Sequence, residues 1–251
     1  MNTSITTAIV SACLLAAVWI GMRLRRSLPE DHLSAESKET VKLAMGLIAS
    51  MSALLLGLLV SSAKDTYDTT RVQVMQKASK YALLDRMLTI YGPQAADVRT
   101  ELHGLIAEAT RRMWPNEADI PPQTKSKNQI GDVFYLALLK LEAHDDIQIT
   151  LKAQAVSLTL EIGQLYSLMQ TQSTASLSKP MLAVVVLWLM VIFLGFSLIS
   201  PPNATTRFAL IASALCTAGA IFLILELGQP FSGLMRISSE PMANLLHQLE
   251  K

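Results

Sequence analysis

Apolar positions along the chain gather into four long runs, and the polar stretch in its middle keeps a helical period. The runs are residues 6–24, 43–63, 181–199 and 208–227, none with Asp, Glu, Lys or Arg in its middle. Each has about the 20 apolar residues that a helix needs to cross the hydrocarbon core of a bilayer. The first two are joined by "RLRRSLPEDHLSAESKETVK" and the last two by "SPPNATTR". In the second connection Pro201 and Pro202 end a helix, because proline lacks an amide donor and clashes with the preceding turn. The pattern predicts two membrane hairpins, 1–63 and 181–227, flanking a helical region at 64–180 and followed by a tail at 228–251.

Within the polar region, Val98, Leu102, Leu105, Ala109 and Met113 recur at three- and four-residue spacing, as do Ile147, Leu151, Ala155, Leu158, Ile162, Leu165 and Met169. Stripes of this kind bury one face of a helix against its neighbours. No Gly or Pro interrupts residues 61–91, so the second span is expected to leave the membrane as one rod and stop at Tyr91-Gly92-Pro93. At 1.5 Å per residue that rod reaches about 40 Å beyond the bilayer. The turn-rich stretch 114–128 predicts a loop, after which "GDVFYLALLKLEA" and residues 146–174 complete a bundle. Strand-like alternation is absent, and the expected class is an all-α membrane protein with four transmembrane helices. In the tail, Gly228, Pro230 and Gly233 should break the last span. A short amphipathic helix with Leu245, Leu246 and Leu249 along its apolar edge should follow at the membrane interface. Glu226, at the end of the fourth span, reads as an interfacial carboxylate that snorkels to the headgroups.

The second span is built differently from an ordinary one. Ala49, Ala53, Gly57 and Ser61 stand at four-residue intervals, with Gly46 and Ser50 beside them. Small residues on one helical face let a second backbone approach closely, gaining dispersion contacts that lipid does not match. The same face also suits copies of the span arranged around an axis, where small and hydroxyl side chains leave room for water and ions. Under that reading Ser50, Ala53, Gly57 and Ser61 line a pore and Lys64, Asp65 and Asp68 form charge at its mouth. The plainer account of Asp68 is helix-surface pairing with Arg71 three residues on. The fourth span repeats the theme with Ala209 and Ser213, and with Ala212, Cys216 and Ala220, predicting close packing against another span.

Composition agrees with a membrane protein: charged residues make up 16% of the chain, against about a quarter in soluble domains. A net charge of +1 gives no basic excess that would argue for nucleic acid. Cys13 and Cys216 both lie in apolar runs, so no disulfide framework is expected. The first apolar run has its arginines after it rather than before, which reads as a retained span and not a cleavable signal. His32, His103, His144 and His247 are scattered, with no metal-ligand spacing, phosphate loop or nucleophile elbow. No cofactor, metal or enzymatic activity is expected. "EAHDD" at 142–146, a cluster that suits a divalent cation, reads instead as a solvated inter-helix turn. Arg23, Arg25, Arg26, Lys38, Lys42 and Arg207 flank the short loops, against Lys64, Arg71, Lys77, Lys179 and Arg236 on the other side. Because the arginines abut the first span, the positive-inside rule leans towards an external helical region with both termini outside.

Several segments taken together resemble the bestrophin-like proteins of bacteria: "LPEDHLSAESKETVKLAMGLIASMSALLLGLLVSSAKDTYD", "LLDRMLTIYGP", "RRMWP", "WLMVIFLGFSLISPPNATT" and "AIFLILELGQPFSGLMRISSEP". The resemblance spans nearly the whole chain, and its motifs mark the family without revealing chemistry. One departure stands at Gly228, where the family pattern more often has Asp. Bestrophins proper are oligomeric chloride channels with two membrane hairpins, a cytosolic helical domain and a pore lined by the second span. The resemblance therefore implies a homo-oligomeric ion channel in the bacterial inner membrane, with a permeant inorganic ion and the lipid bilayer as partners. Anion identity follows from that resemblance, whereas Asp65 and Asp68 at the mouth would favour cations. Two other readings stand beside the channel. One is a membrane-anchored scaffold or sensor whose helical domain binds a protein partner. The other is a small-solute transporter, which fits poorly with spans that lack ionisable groups at membrane depth.

Overall fold

Helices form wherever the apolar period runs uninterrupted, and several of them stop within two residues of a glycine or proline, as at Gly92, Pro201 and Gly228. The computed structural model describes residues 3–27, 35–114, 129–174, 179–201 and 203–249. Their helices are α1 (Thr3–Arg25), α2 (Ala35–Tyr91), α3 (Ala96–Met113), α4 (Gln129–Lys140), α5 (Asp146–Thr174), α6 (Lys179–Ile199), α7 (Ala204–Leu227) and α8 (Glu240–Leu249). Four of them are long and apolar enough to cross a membrane: α1, α2, the stretch Pro180–Ile199 of α6, and α7. In hydrocarbon a backbone must satisfy its own amides, which is why each crossing is a continuous helix. The loop expected at 114–128 lies, apart from Trp114, outside the described residues.

The chain divides into two compact units. A membrane unit comprises Met1–Tyr67, Ala175–Gln229 and Gly233–Met235, and a helical unit comprises Asp68–Thr174, Pro230–Ser232 and Arg236–Lys251. In the membrane unit α1 is the central helix and packs on both α6 and α7. Its Leu14, Ala17 and Val18 meet a core that includes Val185, Ile192 and Phe193 of α6 and Ala218 and Ile221 of α7. Small residues set the approach. A Cβ added at Gly21 would stand 2.6 Å from Ser197 Cβ and 2.7 Å from the Leu194 carbonyl oxygen, so α1 and α6 need a glycine there. On α7 the packed small residues are Ala214 and Ala218. Within this chain the expected stripe is not the packed one: Ala209, Ser213, Cys216 and Ala220 are exposed and Ala212 is half-buried, since α1 lies against the neighbouring face.

The helical unit follows the predicted stripes to within a step. Val98, Leu102 and Ile106 of α3 are buried, while Leu105, Ala109 and Met113 flank them half-buried. On α5 Ala155, Leu158 and Ile162 are buried, and Ile147, in the first turn, is exposed. The rod α2 ends at Tyr91, as its composition requires. Gly92 takes φ +109°, a left-handed conformation that favours glycine. The Tyr91 hydroxyl then donates to the Glu142 carbonyl at 2.9 Å, and Gln148 Nε2 donates to the Tyr91 carbonyl at 3.1 Å.

The tail departs from the membrane-interface expectation. α8 buries Met242 and Leu245, and packs on α3 within the helical unit. Leu246 and Leu249 are only half-buried. Trp114 explains the arrangement: its indole Nε1 donates to the Ile237 carbonyl at 2.8 Å, and its ring meets Phe231 edge-on at 5.6 Å.

Candidate functional site

Helical geometry separates two faces of α2. At 3.6 residues per turn, a face carrying Ser50, Ala53, Gly57 and Ser61 lies roughly opposite one carrying Ser52, Leu59 and Ala63. The second set is buried in the membrane unit, and the first set is exposed on this chain. Gly57 makes the point sharply: a Cβ added there meets nothing within 4 Å, and the same holds at Gly46. Gly46 and Gly57 therefore meet no helix of their own chain among the described residues, whereas Ala49, Ser52 and Ala63 pack inward. Ser50 satisfies its hydroxyl locally by donating to the Gly46 carbonyl at 3.0 Å. Lys64 and Asp65 continue the face as exposed side chains, and Asp68 is half-buried. Ser50, Ala53, Gly57, Ser61, Lys64, Asp65 and Asp68 thus share one side of one helix, while Ala49 packs against the core.

Later in its sequence, α2 presents a buried polar column inside the helical unit: Thr70, Gln73, Lys77, Tyr81 and Asp85. Lys77 is 3% exposed, and its Nζ lies 5.8 Å from the centroid of the Tyr81 ring and 5.1 Å from that of Tyr166. Burial lowers the Lys77 ammonium from 10.5 to about 8, and no ion pair to it is formed among the described residues. The two aromatic faces offset part of that cost by cation–π attraction. Burial, reinforced by Tyr166, raises the Tyr81 phenol.

Asp85 is treated in the opposite way. Arg99 forks onto its carboxylate, Nε to Oδ1 at 2.9 Å and Nη2 to Oδ2 at 3.1 Å, while His103 Nε2 lies 3.1 Å from Oδ1. Burial alone would push the Asp85 carboxyl up, but these hydrogen bonds and charges outweigh it and hold the group below its ordinary value. The pair joins α2 to α3. Lys80 pairs with Glu161 through a single, more exposed contact between α2 and α5. Sequence reading passed over this column, although Thr70, Val74, Lys77, Tyr81 and Leu84 follow a three- and four-residue spacing that marks a packed face.

Glu226 does not reach outward from the end of α7. Its side chain belongs to a residue 4% exposed and accepts the Leu234 amide at 2.6 Å. The chain passes so close that any side chain at Gly233, where φ is +87°, would strike the carboxylate. Glu226 thus closes the turn that ends the span. The "EAHDD" segment is a helix start: Asp145 Oδ1 accepts the Gln148 amide at 2.7 Å, capping α5. Among the described residues no three His, Cys, Asp or Glu side chains gather as a metal site.

Four membrane-length helices, with a helical unit threaded by the continuation of one of them, define an all-α polytopic membrane protein. The chain belongs to the bestrophin-like family: the family's Bestrophin-like domain matches residues 12–242. Its fold is shared with crystal structures of a bacterial bestrophin homolog from Klebsiella pneumoniae. A single-substitution variant of that protein superposes with a TM-score of 0.67 at 14% identity, over 96% of this chain and 97% of that one. A structure phased on zinc superposes with a TM-score of 0.64 at 15% identity, over 95% and 94%. A variant described only as a membrane protein gives 0.67 at 15% identity, over 96% of each chain. No curated protein matches the chain by sequence.

Proposed function

We propose that the protein is a homo-oligomeric ion channel of the bacterial inner membrane, its pore lined by α2 through Ser50, Ala53, Gly57 and Ser61. The observation that carries this reading is the open face at Gly57, opposite the side of α2 that its own chain packs. A face whose glycines meet nothing in their own chain is suited to meet other copies of itself. Small and hydroxyl side chains around the shared axis leave a wettable path. Lys64, Asp65 and Asp68 then bias the ions that gather at one mouth. Family membership supports the same conclusion, because the resemblance to bestrophins implies an oligomeric channel with the second span at its pore.

Purified protein reconstituted in liposomes and assayed in parallel for potassium and chloride flux tests the reading and assigns the ion. Flux of one ion is expected. Gly57→Leu should reduce it about tenfold or more by narrowing and dewetting the path. The variant should keep the wild-type circular dichroism spectrum and thermal midpoint, because the added side chain meets nothing in its own protomer. Absence of either flux from a symmetric, intact oligomer would remove the channel.

A further inference from the structure

Where α1, α6 and α7 end together in the membrane unit, they enclose a cavity of about 190 Å³. Its polar lining is cationic: Arg23, Arg25, Arg26 and Arg207 contribute, with Ser197, Ser200 and Thr206, and among the described residues no carboxylate takes part. Two donors are left without acceptors among the described residues. Arg25 Nη1 is buried with no hydrogen-bond partner, and so is the hydroxyl of Ser197, a residue 1% exposed. A buried guanidinium N–H without an acceptor is costly, and four arginines facing one space repel each other. An anion with several oxygens relieves both. Phosphate suits the donor set best, since guanidinium forks match its oxygens in pairs.

We propose that this cavity binds the phosphate of an anionic phospholipid, with Arg25 and Arg207 gripping its oxygens and Ser197 adding a third donor. A soluble phosphate offers the same group. The lipid is favoured by what surrounds the arginines: Trp19, Met22 and Leu210 line the same cavity at the ends of membrane helices, and Trp19 is exposed beneath the Arg23 guanidinium, 5.1 Å from its ring centroid. Tryptophan at this depth sits at headgroup level, and basic pockets between transmembrane helices hold lipid headgroups. Close contact of α1 and α6 at Gly21 and Ser197 makes the floor rigid.

Native mass spectrometry of the full-length protein in detergent, titrated with phosphatidylglycerol or phosphatidylcholine, tests this directly. Calorimetry with inorganic phosphate supplies the second source. Phosphatidylglycerol should bind in preference to phosphatidylcholine and to free phosphate, and Arg25→Gln with Arg207→Gln should weaken it about tenfold or more. Arg207 is exposed on α7, so Arg207→Gln alone provides a variant that folds if the double change does not. Equal binding of both lipids, or wild-type affinity in the substituted proteins, would overturn the site. Tighter binding of inorganic phosphate than of phosphatidylglycerol would overturn its assignment to a lipid.

Discussion

Three glycines in the membrane unit have three different surroundings, and each gives a different expectation. Gly21 faces the Leu194 backbone and Ser197 Cβ, neither of which can move without displacing α6. Gly195 faces the flexible thioether of Met45 at 2.6 Å, which can swing aside. Gly57 faces nothing in its own chain. Gly21→Ala should therefore lower the thermal midpoint of the detergent-solubilised protein, by an overpacking cost of about 1–3 kcal/mol, whereas Gly195→Ala should leave it nearly unchanged. Differential scanning fluorimetry of the two variants side by side checks the contrast. Spacing rules treat these glycines alike, because the identity of the facing atom is not written in a helix's own sequence.

Lys77 has a pH signature at the same scale. Its folded value of about 8 lies below the 10.5 of an unfolded chain. Below pH 8 both states hold the proton, and the buried charge costs the fold about 3 kcal/mol. Between about 8 and 10.5 the unfolded chain stays protonated while the folded one does not, so stability rises with pH across that window. Lys77→Met should raise the midpoint at pH 7 and abolish this rise relative to wild type. Midpoints measured from pH 7 to 11 for both proteins decide it.

At the level of the element, α2 and its stop were readable because both depend on local chemistry: no Gly or Pro over residues 58–91, then Tyr91-Gly92-Pro93. The stripes of α3 and α5 were readable for the same reason, to within one step. The tail was not. α8 is amphipathic, and amphipathicity does not say whether the apolar edge meets lipid or protein. What decides is Trp114, far away in sequence, which bonds the Ile237 carbonyl and stacks edge-on with Phe231. The family-marking "RRMWP" and "GQPFSG" segments thus share a structural task. Trp114→Phe should leave the Ile237 carbonyl short of its donor, costing about 1–3 kcal/mol. Limited proteolysis should then release residues after Phe231 faster than in wild type, and unchanged cleavage would show that the bond does not hold the tail.

For the whole molecule, class and span number followed from hydropathy, which reports what each segment can do alone. The candidate pore face was visible only as a pattern of small residues, of which Ala49 packs inside the protomer while Ser50, Ala53, Gly57 and Ser61 are exposed on this chain. The basic cavity lay hidden because its parts come from three helices: Arg25 from α1, Ser197 from α6 and Arg207 from α7. No single segment carries such a cluster, and only the packing of α1 on α6 and α7 assembles it.

Long α-helices bend chiefly where glycine or proline interrupts them, and α2 has neither between Gly57 and its end. Its backbone hydrogen bonds then run without a break along that stretch. Hydrogen exchange should accordingly find no weakly protected gap within residues 58–91, as a kink would leave.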